Sequence, residues 1–112
     1  MILKNPLMAT GGEIRSLNHD ERSYINFVNR SPRKVTLFWH DYAGTLVRYA
    51  VISPGGKHKM DTYVTHPWSV TDSQSGDTLK IDNELVFYPR LPEDREDDDV
   101  IYEKIYIDLP GM

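Results

Sequence analysis

What this chain lacks is helical periodicity. No window of roughly 10–12 residues carries apolar side chains at i, i+3, i+4 and i+7, so no ordinary amphipathic helix is available. Short runs of β-branched and aromatic residues recur instead, each cut by turn residues. Ser23–Asn29 sets Ile25 and Phe27 on one face and stops at Asn29-Arg30-Ser31-Pro32. Lys34–Asp41 sets Val35, Leu37 and Trp39 against Thr36, Phe38 and His40, and Asp41-Tyr42-Ala43-Gly44 is a turn sequence. Such alternation marks half-buried antiparallel strands. Further strands are expected at Thr45–Val51, Lys57–Tyr63, Trp68–Asp72, Thr78–Ile81, Leu85–Tyr88 and Val100–Leu109. The last carries Ile101, Ile105, Ile107 and Leu109 on one face. Ser53-Pro54-Gly55-Gly56, Ser73–Asp77 and Tyr88-Pro89 supply the breaks. The expected class is all-β: an antiparallel β-sandwich, or partly closed barrel, of about seven to eight strands.

At 112 residues the chain is one domain, expected over residues 13–112, with residues 1–12 a loosely held terminus. The absence of cysteine excludes a disulfide framework, a thiolate zinc finger and a cysteine nucleophile, and fits a reducing compartment. A net charge of −4 argues against a general nucleic-acid binder. That charge is local, since Glu93, Asp94, Glu96, Asp97, Asp98 and Asp99 put six acids in seven residues. The run lacks the spaced ligands of a calcium loop, so a solvated loop is expected. No apolar run nears the roughly 20 residues that span a bilayer, and the first residues lack a secretory signal's apolar region. A soluble intracellular domain, cytoplasmic or nuclear and off the membrane, is expected.

Catalytic patterns are sparse. His19, His40, His58 and His66 fall at no spacing that puts two on one strand face, so no metal is expected. Gly55-Gly56-Lys57 lacks the frame of a phosphate loop, and no G-x-S-x-G elbow exists. Residue counts leave a triad assembled by folding open. A non-enzymatic protein without cofactor is the expectation.

One segment stands apart: Asp61-Thr62-Tyr63-Val64-Thr65-His66-Pro67-Trp68, preceded by Trp39 and Tyr49. Trp and Tyr offer flat apolar walls with polar tips, and a hydroxyl and an imidazole offer hydrogen bonds. That is the make-up of a small peptide pocket. The same tryptophans also suit an ordinary sandwich core, and composition alone favours the core.

The chain resembles the β-domain of the von Hippel–Lindau tumour suppressor family from about Ile14 to Pro110. Arg15-Ser16-Leu17-Asn18 is close to that family's R-S-V-N, and Asn29-Arg30-Ser31-Pro32 repeats its N-R-S-P. Trp39 and Tyr49 fall at its tryptophan and pocket tyrosine, Pro54-Gly55 at its turn, and Tyr63-x-x-His66-x-Trp68 keeps its spacing. No gap is needed from Arg15 to Asp72.

The resemblance implies a VHL-like β-sandwich that binds 4-hydroxyproline in an extended peptide like that of hypoxia-inducible factor α. By position Trp68 is the pocket floor, Trp39 and Tyr49 are walls, and Tyr63 lines the cleft. His66 and Thr62, the latter replacing the family's serine, would bond the hydroxyl. The main chain of Asp61 and the amide of Asn18 would meet the peptide backbone. Asp20, His58 and Asp61 stand where the family has basic residues, which makes the peptide side less basic. The family continues into a helical domain that binds elongin C and recruits a cullin ubiquitin ligase. Ending at Leu109-Pro110-Gly111-Met112, this chain is expected to assemble a ligase only if such a domain is supplied. The alternative is a β-domain scaffold with neither hydroxyproline binding nor ligase role.

Overall fold

The computed structural model describes residues 14–91 and 101–111. Within them the alternating runs form β1 (Arg22–Asn29), β2 (Val35–His40), β3 (Leu46–Ile52), β4 (Lys57–Tyr63), β5 (Trp68–Asp72), β6 (Lys80–Ile81) and β7 (Glu103–Asp108). One sheet runs β4-β1-β7-β6 and the other β3-β2-β5. The core between them takes Ile25 and Phe27 from β1, Val35 and Leu37 from β2, Val70 from β5, and Ile105 and Ile107 from β7. This is the expected all-β sandwich.

Three details differ from expectation. β7 pairs with β1 in parallel, Ile25 to Glu103 through Asn29 to Ile107. Alternation reports which face a residue occupies but not strand direction, and the long connection between β1 and β7 allows a crossover. Leu85–Tyr88 is not a strand; it meets β5 at the single pair Phe87 and Trp68, whose N–H groups exchange bonds of 2.8 and 2.9 Å. Pro89 cannot donate to a longer ladder. Ile101 is exposed and lies before β7 begins. The terminus at residues 1–12 and the acidic run Glu93–Asp99 lie outside the described residues.

Two turns set the strand ends. Gly55 (φ 78°) follows Pro54, and the Gly56 N–H returns to Ser53 O at 2.8 Å, a type II turn at the expected place. Asp82 (φ 52°) and Asn83 (φ 66°) make a tight turn closed by paired bonds between Ile81 and Glu84. Asn and Asp tolerate that left-handed backbone better than other non-glycine residues.

A bulge in β3 matters most for the site. Leu37 pairs with Ala50 and Phe38 with Arg48, so Tyr49 is the extra residue. Without it the period of two would aim Arg48 inward beside Trp39 and Tyr49 outward. The bulge reverses both, and Tyr49 meets Trp68 instead.

Candidate functional site

β2 and β5 set Trp39 opposite Trp68. Trp68 is core, touching Phe27 at 5.6 Å between ring centroids, while Tyr49 meets it edge-on at 5.1 Å and 89°. Its indole N–H donates to Thr62 Oγ1 at 3.1 Å. Thr62 is buried on the inward-facing side of β4, 2 % exposed. Its oxygen thus accepts from Trp68, and among the described residues its own proton has no acceptor.

Trp39 is tied by its indole N–H to Ser16 Oγ at 2.8 Å, and Ser16 in turn donates to His40 O at 2.7 Å. Its ring stacks on His66 at 5.3 Å and 30°. Tyr63 packs against that imidazole at 4.9 Å, tilted by 50°, and Tyr42 closes edge-on to both Trp39 and His66. His66, 7 % exposed, directs Nε2 at Asn18 O, 2.9 Å away, with the Tyr42 hydroxyl at 3.1 Å. A carbonyl only accepts, so Nε2 carries the proton and Nδ1 keeps a lone pair. Among the described residues nothing bonds that Nδ1.

Trp39, Tyr63 and His66 therefore form one cluster and Tyr49, Thr62 and Trp68 another, joined by the Trp39–Trp68 strand pair. Asn18 takes part through its main chain, held by the Thr65 hydroxyl at 3.1 Å on both its N–H and its carbonyl. The Asp61 side chain is not in the cluster: it accepts from Tyr102 OH at 2.6 Å on the outer face of its sheet. Sequence reasoning missed Ser16, Tyr42 and Thr65, which hold the rings from behind. Ser16 stands inside a shared motif, whereas Tyr42 in a turn carries no signal.

The described Ser–His contact elsewhere, Ser69 Oγ to His40 Nε2 at 2.9 Å, is fully buried. The Ile14 carbonyl rather than a carboxylate supports that ring, so it packs instead of reacting.

Burial lowers the pKa of His66, with the His19 charge adding to it and the Asn18 carbonyl opposing. His40 is lowered chiefly by burial, against the Ile14 carbonyl and Asp41. Both fold neutral, so the unfolded chain binds more protons once pH drops below about 6.5. Stability is therefore expected to hold above that pH and to fall from about 6.5 downward. Urea midpoints across pH check this, and His66→Gln should flatten the slope; a wild-type midpoint that rises on acidification would contradict it.

A β-sandwich with two adjoining aromatic clusters, one spare hydroxyl proton and one spare imidazole lone pair fits a recognition module. The VHL beta domain family model matches residues 14–95, and the chain belongs to that family of substrate-recognition domains. Among curated relatives, Protein Vhl of Drosophila melanogaster is 23 % identical over 83 residues, covering 71 % of this chain. The chain spans about half the length of that relative, 47 % of it.

Proposed function

We propose that this domain is a non-enzymatic reader of 4-hydroxyproline in an extended peptide. The observation that carries the reading is a pair of spare hydrogen-bonding positions, the Thr62 hydroxyl proton and the His66 Nδ1 lone pair. A hydroxyl both accepts and donates; Thr62 has a proton to give and His66 Nδ1 a lone pair to receive. Trp68, Trp39 and Tyr49 supply apolar faces for the pyrrolidine ring. The rest of the peptide would add as a strand along the free edge of β4, where the main chain of Asp61 is available.

Unmodified proline would leave both groups desolvated and unpaired, at about 1–3 kcal/mol each. Together that is roughly thirty-fold to 10⁴-fold discrimination. Fluorescence anisotropy with a hydroxylated peptide and its unhydroxylated twin tests it directly. His66→Ala should remove most of the difference, and equal affinity of the wild type for the two peptides would refute the reading. A place in oxygen sensing, with this domain as substrate receptor of an elongin C–cullin ligase, is part of the same proposal. It requires a helical domain in addition to this one. An intracellular location goes with it.

A further inference from the structure

The outer face of the four-stranded sheet is basic, although the chain carries −4 overall. Register puts Lys59, Asn26 and Lys104 in one row across β4, β1 and β7, and Lys57, Val28 and Tyr106 in the next. Lys80 on β6 continues the patch beside Asp108. The acids of this face stand at opposite ends and are already engaged. Asp61 accepts from Tyr102 and pairs with Arg22, and Asp108 holds Arg30 through two bonds of 2.7 and 2.8 Å. Among the described residues Lys57, Lys59, Lys80 and Lys104 have no carboxylate within ion-pair reach.

At the centre lies Asn26, 5 % exposed, whose carboxamide oxygen has no hydrogen-bond partner among the described residues. A buried acceptor left unpaired is a desolvation cost that a partner's N–H would cancel. We propose that this face docks a short acidic segment of a protein partner. Its carboxylates would meet Lys57, Lys59 and Lys104, and an N–H would reach Asn26 Oδ1.

One observation favours a peptide over a nucleic acid. Two of the tyrosine rings on this face are capped by cations, Tyr106 by Arg30 at 4.2 Å and Tyr102 by Lys59 at 5.5 Å, and Tyr24 packs edge-on against Tyr102, which leaves little open ring surface for base stacking. Thr62 faces the opposite side of the sheet, so this surface is separate from the hydroxyproline reading and does not depend on it.

The test is anisotropy of a labelled octapeptide alternating glutamate and serine, titrated with the full chain. Binding should weaken with added salt, and Lys59→Gln with Lys104→Gln should weaken it about tenfold by removing two exposed ion pairs. Asn26→Val should also weaken binding while raising the unfolding midpoint, since the orphan oxygen is gone. The proposal is overturned if the double lysine variant binds within about twofold of wild type. It also fails if a single-stranded oligonucleotide of equal charge displaces the peptide at equal or lower concentration. Binding seen only after Glu93–Asp99 are changed to amides would overturn it too, because the chain's own acids would then be the occupant.

Discussion

Replacing Asn29 with leucine is expected to lower the unfolding free energy by about 3–5 kcal/mol, among the largest losses any surface-remote substitution here should give. Asn29 is fully buried at the end of β1. Its Nδ2 donates to Arg33 O at 2.7 Å and to Ile52 O at 3.0 Å. Its Oδ1 accepts from the Ser31 N–H at 3.1 Å and the Ser31 hydroxyl at 2.7 Å. That is the whole capacity of a carboxamide, and it binds the β1–β2 turn to the end of β3. Leucine keeps the branched shape but is bulkier and strands several buried polar groups. Asn29→Asp would lose both donors and bury a charge, at similar cost. Arg30→Ala next door, losing an exposed pair with Asp108 and a contact with the Tyr106 ring, should cost much less. Urea unfolding followed by circular dichroism checks the contrast; an Asn29→Leu loss below about 1 kcal/mol would contradict it.

The same residue shows where sequence reading succeeds and where it stops. Asn29-Arg30-Ser31-Pro32 is recognisable as a break and as a shared motif, but its role as a saturated buried amide needs the β3 carbonyl of Ile52. Alternation locates β1 through β5 to within about a residue or two, because a half-buried strand writes its pleat into the sequence. It does not carry direction, so the parallel β1–β7 pair escapes it. Nor does it distinguish a strand from the one-pair contact of Phe87, since both want an aromatic residue beside a turn.

Spacing shared with a family points to the pocket residues, whereas composition alone favours core packing. The core reading holds for Trp68, and the pocket reading concerns polar groups on the same side chains. Trp68 is core by burial, yet its N–H orients Thr62. Tyr49 reaches Trp68 only because of a bulge, which no hydrophobic pattern announces. Ser16 reaches Trp39 from 23 residues away and Tyr42 reaches His66 from 24, so the motif that holds Ser16 does not show which ring it ties and the turn that holds Tyr42 shows nothing.

Trp68 can be divided experimentally into those two roles. Trp68→Ala removes a buried ring packed on Phe27 and Tyr49 and should cost about 3–5 kcal/mol, enough to leave a marginal domain largely unfolded. Trp68→Phe keeps an aromatic floor and should cost about 1–2 kcal/mol, chiefly from lost volume. What phenylalanine cannot keep is the N–H that occupies Thr62 Oγ1 at 3.1 Å. Freed of that donor, the hydroxyl can turn its proton to other acceptors and no longer presents it to an incoming oxygen. The ratio of hydroxylated to unhydroxylated peptide affinity should then fall about tenfold, the loss of roughly one oriented hydrogen bond. Affinity for the unmodified peptide should change little. A folded Trp68→Phe protein with the wild-type ratio would mean that Thr62 takes no part in choosing the hydroxyl, leaving His66 to do so alone.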